Sequence, residues 1–370
     1  MCAMRFSPEL DNGLDYGGLG VPTCVQYMLV DEACFHSSMA TALFCLDNIV
    51  GRSENKLQAL RHASRTVRLV NQQLSLKSAI TDFTIAAVIS MAQYEHHQNR
   101  FQQGSAHVQG LWQISQLRGG VSNLTGSPSG LGQKMLRIDL EYSLQLGSPT
   151  AFTLKEAENG CKPLSGFPSM CLQSDDSILP LAFGQYPARA LPANYRDLFV
   201  DVLFLASLLN NAILGNAPKM DAIELYQDII FLGYRLVNLG PLGGLPRGIS
   251  RLQNKVHLGL AAFLVTFLQR WDGRVAQNDL LAEMLISEAR QAFNADLDGR
   301  ETLLWLLFIG AAASRLLKHP VWVSAAKCTL HSLKVMSWQD AKVLLAAFPW
   351  VDAIHDTSGQ ALWQKANDSG

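Results

Sequence analysis

Between residues 57 and 74, apolar side chains recur in steps of three or four, at Leu57, Leu60, Ala63, Val67, Val70 and Leu74. Arg61, Arg65, Arg68 and Gln72 fall elsewhere on the helical wheel, which predicts an amphipathic helix with one buried stripe. A second apolar run, Phe83 to Met91, follows Thr81-Asp82, and either of those residues can accept hydrogen bonds from the first-turn amides of a helix. A third helix is expected from Ser105 or Ala106 to Arg118. Gly119-Gly120 can supply the left-handed residue that closes it, and Arg118 suits its negative end.

The texture changes between Gly147 and Pro192, which holds six of the fourteen prolines (Pro149, Pro163, Pro168, Pro180, Pro187 and Pro192) and no sustained three-four periodicity. Helical spacing then resumes over Tyr195–Leu214, Asp221–Asn238, Leu252–Trp271, Asp279–Phe293, Glu301–Leu317 and Ser337–Phe348. Strand-like alternation bounded by hairpin turns is scarce, and no strict repeat stands out. The expectation is an all-α fold, a large helical domain of two halves. Residues 1–30, punctuated by Asn12-Gly13, Gly17-Gly18, Gly20 and Pro22, form a loose lead-in, 31–146 the first half, 147–193 a Pro-rich connecting segment, and 194–365 the second half.

The most apolar stretches, 198–214, 256–268 and 302–314, fall short of the roughly 20 apolar residues that span a bilayer. The first is also broken by Asp201, Asn210 and Asn211, so all three read as buried helices and no membrane association is expected. At 370 residues and 48% hydrophobic, the chain has enough material for one large core or two fused ones. Thirty Lys+Arg against thirty-one Asp+Glu give no overall support for direct nucleic-acid binding. Seven cysteines (Cys2, Cys24, Cys34, Cys45, Cys161, Cys171 and Cys328), odd in number and widely spaced, suit a reducing compartment. The opening residues Met1 to Pro8 lack the apolar core of a signal peptide, so entry into the secretory pathway is not expected.

Signs of catalysis or metal binding are weak. No cysteines occur as C-x2-C, and Glu95-His96-His97, with His107 beyond, is not H-E-x-x-H; adjacent histidines on a helix point about 100° apart and read as a solvated helix end. The string Gly126-Ser127-Pro128-Ser129-Gly130 puts proline where a serine nucleophile would stand, and reads as a loop. Gly17-Gly18-Leu19-Gly20 and Gly240-Pro241-Leu242-Gly243-Gly244 match neither a dinucleotide fingerprint nor a phosphate loop. Nothing near Asp175-Asp176 or Asp296-x-Asp298 completes an acid/base or metal constellation. The sequence thus assigns no catalytic, cofactor-binding, metal or DNA-binding residue, and an enzyme is not the expected reading.

The segment His107-x-x-Gly110-Leu111, followed by Arg118-Gly119-Gly120-Val121, resembles the pattern of the fungal-specific transcription factor domain. Phe35-His36-Ser37-Ser38, Ala59-Leu60-Arg61-His62-Ala63, Leu136-Arg137-Ile138-Asp139, Leu303 to Ala311, Phe348 to Asp356 and Leu362-Trp363 are similar to other signatures of that family, in the family's order. The resemblance covers nearly all of 31–365. It implies a helical regulatory domain, normally following a binuclear zinc cluster with six cysteines, that controls metabolic or secondary-metabolite genes in the nucleus.

This sequence contains no six-cysteine array, and its first 30 residues carry a single Lys or Arg, Arg5. Three readings stay open: a chain whose zinc cluster lies in sequence outside these 370 residues, a regulator working through a DNA-binding transcription factor or the transcription machinery, or a relative recruited to another task. The motif residues also have packing roles. Gly110 is expected to admit a neighbouring helix, Arg118 to bond terminal carbonyls or an acid such as Asp139, and Trp305 and Trp350 to fill core volume. The alternatives are a small-molecule effector pocket among these helices, a homodimer seam on the long apolar helices, a non-DNA-binding scaffold and a helical biosynthetic enzyme.

Overall fold

A computed structural model of the chain describes residues 6, 8–17, 23–51, 54–75, 80–125, 130–161, 166–167, 169, 185–244, 248–270, 278–291 and 299–368. The fold is all-α. Among the described residues there are sixteen α-helices and one pair of two-residue parallel strands, Leu14–Asp15 against Met220–Asp221. None of the described helices is long and apolar enough to cross a membrane. The chain divides into two compact units: residues 1–5, 17–143 and 150–162 form the first, and residues 6–16, 144–149 and 163–370 the second.

In the first unit, α1 (Thr23–Val30), α2 (Glu32–Val50), α3 (Lys56–Ser75), α4 (Asp82–His97) and α5 (Phe101–Leu117) are followed by the short α6 (Ser122–Thr125), by α7 (Leu131–Leu146) as far as Ser143, and by α8 (Leu154–Cys161). The ends form for local reasons. Asp31 caps α2 by accepting the Cys34 N–H at 2.8 Å, and Gly51 closes it at φ +70°. Thr81 caps α4, its hydroxyl accepting the Thr84 N–H at 3.3 Å. At the end of α5, Gly119 and Gly120 take φ +81° and +98°, and the Gly120 N–H reaches back to the Ser115 carbonyl at 2.8 Å. The alanines Ala40, Ala59 and Ala63 let α2 and α3 lie close, over Met91 and Tyr94 of α4.

The second unit contains α9 (Ala193–Ile213), α10 (Ala222–Leu239), α11 (Arg251–Arg270), α12 (Asp279–Gln291), α13 (Arg300–Ala313), α14 (Pro320–Ser332), α15 (Trp338–Leu345) and α16 (Asp352–Asp368). Helix α13 is buried on every side: Thr302 through Ala311 are inaccessible to solvent or nearly so, which is why its sequence lacks a polar face. Tryptophans seat against glycines here. A side chain at Gly259 would meet the Trp305 ring at 2.3 Å, and one at Gly310 would meet Trp322 at 2.7 Å, so small residues set how near these helices approach.

Two regions depart from expectation. Of the supposed loose lead-in over 1–30, residues 6–16 belong to the second unit, with Phe6, Leu10 and Leu14 buried and Met220 donating its N–H to the Gly13 carbonyl at 2.9 Å, while Thr23–Val30 is helix α1 of the first unit. Turn residues there punctuate the backbone, but the apolar side chains between them still find a core. The connecting segment, read as irregular over 147–193, contains α8 and belongs in part to the first unit. Two turns are too short to show a sustained three-four repeat among the surrounding prolines.

Candidate functional site

The His107–Val121 motif spans most of α5 and its closing turn. Gly110 does not admit a neighbouring helix: a methyl group there would meet nothing within 4 Å. The close approach occurs six residues earlier, at Gly104, where an added carbon would lie 1.7 Å from the Tyr142 hydroxyl. That hydroxyl donates to the Ala92 carbonyl at 2.7 Å. Arg118 does bond a carbonyl, that of Ile80, but its acid is Asp82 at 3.0 Å. Asp139 accepts the Ala151 and Phe152 N–H groups at 2.8 and 3.1 Å instead. Because Thr81 caps α4, the Asp82 carboxylate is available to the guanidinium at the end of α5. These residues pin helices together.

The late segment behaves in the same way. Trp305 is fully buried, stacks on Phe348 with ring centroids 5.3 Å apart, and donates its indole N–H to the Pro349 carbonyl at 3.0 Å. Trp350 donates its own to Asp356 at 2.8 Å, and Lys342 bonds that carboxylate at 2.8 and 3.0 Å. Asn210, which interrupts the apolar run of α9, donates to the Trp350 carbonyl at 2.8 Å and accepts the Asp352 N–H at 3.0 Å.

Several buried ionisable groups escaped the sequence reading. Asp201 on α9 is wholly buried, bonded by the Arg235 guanidinium of α10 and by the hydroxyl and N–H of Ser169, the latter at 2.9 Å. A lone acid in an apolar run was the available signal, since buried charges need partners. His355 accepts the Val351 N–H at Nδ1 (2.9 Å), which leaves Nε2 to donate to the Thr266 hydroxyl at 3.0 Å. His257, 3.5 Å from the Tyr195 hydroxyl, is pushed down to about 4 by burial, against the opposing pull of the Gly240 carbonyl. Burial also lowers the Lys255 amine, with Glu288 opposing and Arg251 adding. Burial raises the Cys34 thiol, which donates to the Phe83 carbonyl at 3.2 Å.

His96 and His97 occupy the last turn of α4, where His96 packs edge-on against Phe101 at 5.3 Å and Tyr142 at 5.6 Å. No group of three or more metal-ligating side chains occurs among the described residues. Cys2, Cys171, Asp175, Asp176, Asp296, Asp298 and the loop from Gly126 to Ser129 lie outside the described residues.

The surface of the first unit offers a different arrangement. Most of the large hydrophobic side chains exposed among the described residues lie between Leu29 and Leu74. On α3 the buried positions are Ala59, Ala63, Thr66 and Val70, whereas Leu57, Leu60, Val67 and Leu74 are exposed. At about 100° per residue, these two sets occupy adjoining sectors of one helix. The apolar face is therefore wider than the core it meets, which corrects the expectation that the whole stripe is buried. The described lining of an open cleft of about 730 Å³ is also entirely α3: Ser64, Val67, Arg68, Asn71, Gln72 and Ser75.

Charge on α3 is one-sided, with Lys56, Arg61, Arg65 and Arg68 and no acidic residue between 56 and 75. Arg65 is engaged by Glu32 of α2 at 2.7 Å and holds that carboxyl below its usual range. Lys56, Arg61 and Arg68 are exposed and form no ion pair among the described residues. Beside the Glu32–Arg65 pair, His36 and His62 face each other through their Nδ1 atoms at 2.7 Å, so one must donate and the other accept. Burial, then the His62 ring, lowers His36, with Glu32 opposing.

Fold and surface together define an all-helical protein whose third helix is amphipathic on its solvent side as well as toward its core. No family model, no curated protein and no solved structure matches the chain.

Proposed function

We propose that the chain is a transcription regulatory protein of fungal type that acts in the nucleus through protein partners, controlling metabolic or secondary-metabolite genes. The order of the motifs from Phe35 to Trp363 supports the family reading. The observation that carries the mode of action is the exposed apolar and basic face of α3, because aligned exposed hydrophobics with unneutralised rims mark contact surfaces. A DNA-binding transcription factor, or the transcription machinery, would supply the promoter contact. A metabolite effector, a homodimer, a scaffold role and a helical biosynthetic enzyme are the competing readings.

Transcript profiling after deletion of the gene tests the proposal, alongside a strain carrying Trp350→Asp. That substitution puts a carboxylate beside Asp356 in a core position and unfolds the late helix packing. A coherent set of genes changing in both strains supports regulation. Unchanged transcripts together with the loss of one metabolite contradict it and favour the enzyme.

A further inference from the structure

We propose that the solvent face of α3 is a docking site for an acidic amphipathic helix supplied by a partner protein. The inference rests on reading the chain as a module that works through protein contacts, and adds the chemistry of the partner. Leu57, Leu60, Val67 and Leu74 form a stripe that spans about 26 Å at 1.5 Å per residue, the length of some five helical turns. Arg61 and Arg68 follow one edge of that stripe, Lys56 stands at its start, and no carboxylate on α3 answers them.

Charge selects among occupants. A second copy docking through this face by two-fold symmetry would set Arg61 and Arg68 against the same residues, so self-association is disfavoured. An anionic bilayer would answer the charge, but Ser64 and Asn71 lie between Leu60, Val67 and Leu74 on the same sector. Insertion into hydrocarbon would strand both polar groups, whereas a partner helix can bond them. Leucines in an i, i+3, i+4, i+7 pattern with flanking Glu or Asp would satisfy both features of the face.

The test uses the full chain and a display library of helical peptides, each about 18 residues long, matching the stripe at 1.5 Å per residue. Every peptide carries the same leucine stripe, with flanks of Glu, Gln or Lys. The Glu-flanked peptides should be enriched and should bind more weakly as salt rises. Arg61→Glu/Arg68→Glu should lower their affinity about tenfold or more and shift the preference to Lys-flanked peptides. Leu60→Asp should weaken both classes, with helical circular dichroism unchanged.

Enrichment that ignores flank charge, or that survives all three substitutions, overturns the proposal. So does tighter binding to phosphatidylserine–phosphatidylcholine vesicles than to any peptide, or a dimer in solution abolished by Leu60→Asp. Failure here with a positive transcript profile would remove this docking site and leave the regulatory reading standing.

Discussion

Helices α3 and α13 are both rich in apolar residues, yet they meet their surroundings in opposite ways. Helix α13 is enclosed from Thr302 to Ala311 and carries its charges only at its first residues, Arg300 and Glu301. Helix α3 buries only alanine, threonine and valine, and turns Leu57, Leu60, Val67 and Leu74 outward beside cations that form no ion pair among the described residues. Hydrophobic periodicity reports that a helix has an apolar side, not how much of that side the fold covers. On the proposed reading, α13 serves stability and α3 serves contact.

The largest effects should come from the enclosed side. Trp305→Ala removes a fully buried ring and its bond to Pro349, and should cost about 3–5 kcal/mol in denaturant unfolding. Asp201→Ala strands the Arg235 guanidinium and should cost about 3–5 kcal/mol as well. Small losses at both positions would break the picture of a tightly specified second unit.

Next in size is an acid-sensitive contribution. His257 is held neutral down to about 4 against an ordinary value of 6.5. As pH falls, the unfolded chain therefore gains a proton that the folded chain refuses. The stabilisation is fully present above pH 6.5 and is lost between 6.5 and 4, amounting to about 3 kcal/mol at most. Urea midpoints measured across that range should show a shallower acid limb for His257→Gln than for the parent. Equal slopes would contradict the buried neutral histidine.

Within α5, two glycines differ in the same way. Gly104→Ala drives a methyl group into the Tyr142 hydroxyl and should destabilise by about 1–3 kcal/mol. Gly110→Ala meets nothing and should stabilise by up to about 1 kcal/mol through helix propensity. Thermal melts of the pair give opposite shifts if the close approach is at Gly104. Smallest of all, Leu60→Gln on the open face of α3 should change stability by less than about 0.5 kcal/mol.

Much of the architecture was legible in the sequence because it is local. The helices over 57–74, 83–91 and most of the second half follow from apolar spacing, and the turn after Arg118 from its two glycines. What was not legible depends on neighbours distant in sequence. The sequence offers Arg118 acids on more than one helix, and only the packing shows that its partner is Asp82 while Asp139 accepts the Ala151 N–H. Gly110 and Gly104 look alike in sequence, but one faces open space and the other faces Tyr142. The anchoring of Phe6, Leu10 and Leu14 likewise depends on a core assembled from residues far along the chain. The exposed face of α3 was hidden because its apolar side chains fit the expected buried stripe equally well.

Comparing transcript profiles of a Leu60→Asp/Arg68→Glu strain with those of a deletion strain tests whether α3 works by contact while the chain remains folded. Both strains should misregulate the same genes while the variant protein accumulates at parental levels with an unchanged melting transition. A deletion profile that shifts while the variant's stays parental would contradict it.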